Sequence, residues 1–156
     1  MDKIKAFVRP DNTATIICPV CKTTKQVSAA PYLNKKHSIK IRCTCGTTFT
    51  VQFDFRRHYR KQISLRGIYR VVDPPRAEGG VIHIRNLSRS GIGFTVSGLH
   101  KMQKKQTIQL EFRLNDKNLT KLTKQATIQT VNNNFIGCQF VEQYLIEKAL
   151  RFYLHR

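Results

Sequence analysis

Val81-Ile82-His83-Ile84-Arg85-Asn86-Leu87-Ser88-Arg89-Ser90-Gly91-Ile92-Gly93-Phe94-Thr95-Val96-Ser97 reads as two strands and the turn between them. β-Branched and aromatic residues gather at 81–87 and 92–97, and the polar segment from Asn86 to Gly91 has the chemistry of a turn. Working outward, further strand candidates lie at 63–73 before this stretch and at 107–114, 119–131 and 135–141 after it. Pro74-Pro75, Glu78-Gly79-Gly80, Asn115-Asp116-Lys117-Asn118 and Asn132-Asn133-Asn134 separate them with turn residues,. Connections this short favour antiparallel neighbours, and six strands in succession predict a closed, mainly β barrel over a parallel sheet. The chain then changes period: Leu145, Ile146, Ala149, Leu150, Tyr153 and Leu154 share one helical stripe,. Glu142 and Glu147 lie early and Arg151 and Arg156 late, as a helix dipole prefers, so a C-terminal helix is expected.

Ahead of the barrel, residues 54–61, Asp-Phe-Arg-Arg-His-Tyr-Arg-Lys, interrupt the apolar pattern and read as a linker. The expected organisation is a small module at 1–55 and a barrel domain at 56–156. The first module offers strands at 13–17, 38–42 and 47–53, too little core to stand comfortably without a staple. Four of the five cysteines fall here, as Cys18-x-x-Cys21 and Cys43-x-Cys45-Gly46. Two close thiol pairs on opposing turns supply the tetrahedral soft ligands that Zn²⁺ prefers. A structural zinc-ribbon-like site on Cys18, Cys21, Cys43 and Cys45 is therefore expected, against a metal-free or disulfide-closed remnant and against redox thiols. His37 reads as a surface residue of a basic loop, and Cys138, in an apolar run, as a small core residue.

The chain carries 28 Lys and Arg against 9 Asp and Glu, a net charge of +19. The excess is spread over both parts: 9 basic and 3 acidic side chains in residues 1–55, 19 and 6 in residues 56–156. Such a field attracts anions of every kind and names none of them. No apolar run approaches the roughly 20 residues of a membrane span, and Met1-Asp2-Lys3-Ile4-Lys5 lacks a signal-peptide core, so a cytoplasmic protein is expected. With few acids, and with His58 and His83 lacking any partner visible in sequence, neither paired carboxylates nor an activated nucleophile stands out, and no enzyme is expected.

Arg56-Arg57-His58-Tyr59-Arg60 before the barrel and Asn86-Leu87-Ser88-Arg89-Ser90-Gly91 within it carry the chemistry. A guanidinium fork binds phosphate bidentately, reaches guanine O6 and N7, or stacks on a purine. Asn86 and Ser88 offer neutral hydrogen bonds, and Gly91 permits a close approach or a backbone angle that a side chain forbids. In order and placement these segments resemble the PilZ family, which pairs RxxxR with an Asp/Asn-x-Ser-x-x-Gly motif some tens of residues later. The likeness covers residues 56–156, and extends loosely to the front, since some members are similar in having a CPxC and CxCG module directly before RxxxR.

The resemblance implies a PilZ-type barrel that binds cyclic di-GMP through Arg56, Arg60, Asn86, Ser88 and Gly91, with Arg57 and Arg89 as auxiliary contacts. It implies a receptor whose ligand, closed over by arginines on a flexible linker, changes the arrangement of the two modules or the binding of a downstream protein partner. The alternative is a zinc-ribbon nucleic-acid binder. It rests on charge, for the sequence has neither a recognition-helix pattern nor a stacking surface of aromatic residues.

Overall fold

The computed structural model describes residues 3–35, 38–142 and 148–156. The chain divides into two compact units, Met1–Tyr59 and Arg60–Arg156. The first contains β1 (Lys3–Phe7), β2 (Thr13–Ile17), β3 (Thr24–Ser28), a single 3-10 turn at Ala30–Tyr32, β4 (Ser38–Arg42) and β5 (Thr48–Asp54). β2 and β3 form an antiparallel hairpin. β5 is the centre of a three-stranded sheet, antiparallel to β4 and parallel to β1. The sequence reading gives no strand at β1 or β3. β3 has only Val27 even half-buried, and its backbone pairing with β2 makes it a strand in spite of its composition.

Alternation along β5 sends Phe49, Val51 and Phe53 inward to join Ala6, Val8, Ala14, Ile16, Cys18 and Ala29. Tyr32 stacks on Phe53 with ring centroids 5.4 Å apart. This apolar cluster is small for nearly sixty residues.

The second unit contains β6 (Arg60–Asp73), β7 (Gly79–Ser88), β8 (Gly91–Val96), β9 (Thr107–Arg113), β10 (Lys121–Asn132), β11 (Phe135–Phe140) and α1 (Lys148–Leu154). The strands close into an antiparallel barrel in the order β10-β11-β8-β7-β6-β9. Inward positions carry Ile82, Ile84 and Leu87 from β7, Ile92, Phe94 and Val96 from β8, and Ile136, Cys138 and Phe140 from β11. Cys138 is the core residue expected, and burial pushes its thiol up to about 12. α1 adds Leu150 and Tyr153 to this core. Its C-terminal end is held by Lys61, whose Nζ donates to the carbonyls of Tyr153 at 2.9 Å and Arg156 at 3.1 Å, a cation on the negative end of the helix. Leu145 and Ile146 of the predicted stripe and the early acid Glu147 lie outside the described residues, as does His37.

One expectation is corrected. Residues 54–61 are not a continuous linker: Asp54 ends β5 and Arg60 begins β6, so Arg60 is a strand residue. Arg60 and Gln62 are exposed, where polar side chains cost nothing, and backbone pairing with β7 carries the strand through a composition that reads as a connection.

Candidate functional site

β6 and β7 bring part of the predicted ligand set together. Arg60 is the cross-strand partner of Ser88, and Gln62 is the partner of Asn86. On its other side Asn86 is opposite Gly93 of β8. A β-bulge determines which way Asn86 faces. Ile82 and Ile84 both point into the core, and strict alternation would turn Asn86 inward too. The register shifts between Ile84 and Asn86, so Leu87 takes the core position and Asn86 is released to the barrel exterior.

The Asn86 amide lies over bare backbone. A Cβ on Gly93 would come within 2.6 Å of Asn86 Nδ2, 2.8 Å of Oδ1 and 2.8 Å of Phe135 Cζ. Gly93 is in turn the partner of Gly137 on β11. The two glycines leave room against the exterior backbone that neighbouring side chains fill, Asn86 and Phe135 over Gly93 and the Thr130 hydroxyl over Gly137. Gly93, Phe135 and Gln62 escape the sequence reading, although the spacing Ile82, Ile84, Leu87 is a legible trace of the bulge.

Ser88 is 3% exposed, and its hydroxyl is engaged within the turn. Oγ donates to the Gly91 carbonyl at 3.3 Å and accepts from the Ser90 N–H at 3.3 Å and the Gly91 N–H at 3.1 Å. Gly91 is confined by its neighbour strand, because a Cβ there would collide with the carbonyl of Cys138. Ser88 and Gly91 thus build the turn, and Arg89 stands exposed on it. Arg56 and Arg57 belong to the first unit, in the stretch 55–59 that follows β5. Arg56 is tied to Asp54, its N–H donating to Oδ1 at 3.1 Å and its guanidinium lying 3.5 Å from Oδ2. His83 has a partner that sequence could not show: its Nε2 lies 2.7 Å from Ser64 Oγ on the neighbouring strand.

The cysteines form a second centre. Cys18 and Cys21 sit in the β2–β3 connection, Cys43 and Cys45 in the β4–β5 connection. The four Sγ atoms all lie within 4.8 Å of one another, with Cys18 to Cys45 at 3.8 Å and Cys21 to Cys43 at 3.5 Å. A tetrahedral cage with Zn–S bonds of about 2.3 Å has edges of about 3.8 Å, so the donor set fits a thiolate-bound metal, and the separations are far above a disulfide bond of about 2.05 Å. The two turns are built alike. The residue after the second cysteine of each adopts a left-handed conformation, Lys22 at φ 61° and Gly46 at φ 89°. Its N–H donates to the carbonyl of the first cysteine, at 3.1 Å and 3.0 Å respectively. Each turn also sets a threonine beside its second thiol, with Thr23 Oγ1 3.2 Å from Cys21 Sγ and Thr47 Oγ1 3.3 Å from Cys45 Sγ. These hydroxyls bring Cys21 down to about 6 and hold Cys45 below the usual thiol range, the direction that favours metal-binding thiolates.

No curated protein matches the chain. Among solved structures, the Bacillus subtilis inhibitor of motility (MotI/DgrA) aligns with a TM-score of 0.55 at 12% identity, covering 92% of this chain and 69% of that one. The PilZ domain of YcgR from Escherichia coli, solved with c-di-GMP, aligns with a TM-score of 0.50 at 12% identity, covering 65% of this chain and 87% of that one. Likeness at such identity is a likeness of fold. The sequence pattern of the PilZ domain matches residues 54–154, which take in all six barrel strands and α1, and with the barrel and the Asn86–Gly91 turn it establishes that this chain belongs to the PilZ domain family.

Proposed function

We propose that this protein is a cyclic di-GMP receptor, and that residues 56–156 act as its ligand-binding module. The observation that supports the reading is the register that pairs Arg60 with Ser88 and Gln62 with Asn86, so that both motifs contribute to one pair of neighbouring strands. Family membership supplies the ligand class, and the Escherichia coli neighbour is a PilZ domain solved with that dinucleotide.

In this reading each residue has a separate task. The Arg60 guanidinium holds a phosphate or the O6 and N7 edge of a guanine. Asn86 supplies neutral hydrogen bonds to a guanine edge, and Gly93 leaves the room against the backbone in which the Asn86 amide and the Phe135 ring sit,. Ser88 and Gly91 fix the turn that positions Asn86, and Arg89 on that turn is an auxiliary cation. Arg56 and Arg57 enter through the RxxxR motif. Three residues separate Arg56 from Arg60, a tether of about 14 Å over four extended Cα-to-Cα steps. A ligand held by arginines of both units favours whichever arrangement of the units it binds better, and so biases an encounter with a downstream partner. Cys18, Cys21, Cys43 and Cys45 hold a structural Zn²⁺, which closes the first unit and supplies no chemistry.

Calorimetric titration with cyclic di-GMP at about 150 mM salt tests the ligand, since charge attraction alone fades there. Saturable binding that Arg60→Ala weakens at least tenfold is expected. Equal heats from both proteins, or none from either, overturn the reading. A hydrolysis assay on the same dinucleotide should remain blank. Small-angle scattering with and without ligand tests the arrangement claim, which an unchanged profile at saturation refutes.

A further inference from the structure

We propose that the barrel exterior across β6, β7, β9 and β10 is a docking groove for an acidic, amphipathic segment of a partner protein. A groove of about 620 Å³ runs there, away from the Asn86–Gly91 turn. Two rows of side chains make it amphipathic.

The first row is cationic. Gly67 is paired with Phe112, so Arg66 and Arg113, one residue further along each strand, flank the same position, and Arg113 is paired directly with Lys121. Like charges opposed across a sheet repel each other and destabilise it unless an anion intervenes. Here the compensation is partial. Lys121 lies 3.2 Å from the Glu111 carboxylate, Arg113 Nη1 donates to the Leu119 carbonyl at 3.3 Å, and among the described residues Arg66 has no carboxylate partner.

The second row is apolar and open to solvent. Ile68 and Val81 are cross-strand partners with 51% and 62% of their surface exposed, and Leu119 is 57% exposed. Leu119 is also held at φ 47°, a conformation unfavourable to a branched side chain and natural to Gly or Asn. Its loop enforces this: Leu119 N–H donates to the Asp116 carbonyl at 3.1 Å, and the Asp116 carboxylate accepts from Thr120 N–H at 2.9 Å and Thr120 Oγ1 at 2.6 Å. An exposed leucine kept in a strained conformation beside partly neutralised cations has no use in the barrel's own packing.

Charge complementarity selects the occupant. The cations call for carboxylates, and the Ile68, Val81 and Leu119 patch calls for apolar side chains on the same segment. A second copy of this chain, at +19, is repelled. A nucleic acid satisfies the cations and leaves the apolar row exposed.

The test uses the full chain and a synthetic helical peptide with Glu on one face and Leu at i, i+3, i+4 and i+7. Fluorescence anisotropy compares it with a scrambled isomer of the same composition, a single-stranded DNA oligonucleotide and phosphatidylglycerol vesicles. The amphipathic peptide is expected to bind at least tenfold tighter than its isomer. Ile68→Ser and Leu119→Gly should each remove most of that preference, while Leu119→Gly leaves the thermal midpoint undiminished and keeps loss of binding distinct from loss of fold. Equal binding of the isomers, a preference for DNA or vesicles, or indifference to both substitutions overturns the proposal.

Discussion

Replacing Ser88 with alanine separates a residue that builds the site from one that touches the ligand. The Ser88 hydroxyl makes three hydrogen bonds of 3.1 to 3.3 Å inside the β7–β8 turn, and alanine leaves two N–H groups and one carbonyl without them. Each such bond is worth about 0.5–1.5 kcal/mol net. These are at the long end of the distance range and the turn is only partly buried, so water repairs some of the loss. A cost of about 2 kcal/mol follows, which for a barrel unit of this size lowers the melting midpoint by about 10 °C. The measurement is urea unfolding of the intact chain, followed by hydrogen exchange in peptides covering β7 and β8, which isolates the barrel from the first unit. Asn86→Ala is the companion variant. Its side chain faces outward, and it should cost under about 0.5 kcal/mol while weakening cyclic di-GMP binding at least tenfold. If Ser88→Ala unfolds like the wild type and loses ligand as Asn86→Ala does, the hydroxyl serves the ligand directly and the division of labour argued here is wrong.

Three further outcomes follow from the same geometry. Gly93→Ala inserts a methyl where Asn86 and Phe135 already lie within 2.8 Å, so ligand affinity should fall although no motif residue is touched; unchanged calorimetric affinity would show that Asn86 placement is unimportant. Cys138 keeps its proton up to about 12 in the folded barrel, against 9.0 for an ordinary thiol. Below the ordinary value both states are protonated and pH has no leverage; above it only the unfolded chain ionises, so stability is lost as pH rises. The Cys138 contribution to the loss should reach about 2 kcal/mol near pH 10.5 and show as the difference between the wild type and Cys138→Ala in the same urea series, since Tyr69 and Tyr153, whose hydroxyls burial also pushes up, contribute to both. For the thiol centre, elemental analysis of protein purified without chelator should find a single zinc. Cys21→Ser should lose it and unfold the first unit while β6–β11 keep their exchange protection; a metal-free wild type with an intact first unit contradicts the structural role.

The barrel was legible because its strands are marked twice, by β-branched and aromatic runs and by the turn residues between them. Ile92 to Ser97 differs from β8 by one residue at each end, and Phe135 to Val141 from β11 by one residue at its C-terminal end. The cysteine centre was legible for a different reason. Metal-ligand spacing is a local pattern, and the two turns that bring the thiols within 4.8 Å each close on a backbone hydrogen bond over three or four residues. What composition hid were strands defined by their partners. β1 has two lysines in five residues and becomes a strand because β5 offers a free edge parallel to it.

The candidate site fell between these cases, and its least legible member was Arg60. A run of charge reads as linker because charge is excluded from cores, but an outward position on a barrel strand excludes nothing. Composition therefore could not separate a mobile arginine from one fixed in a ladder opposite Ser88. The distinction matters for mechanism. An arginine on a free linker pays to become ordered when it binds, whereas Arg60 starts with its backbone fixed and gives up only side-chain freedom; under the function proposed above, the larger ordering cost falls on residues 55–59. Lengthening that stretch by a few glycines should then weaken ligand binding through Arg56 and Arg57 alone. The residual affinity should match that of an Arg56→Ala, Arg57→Ala double variant, and remain above that of Arg60→Ala.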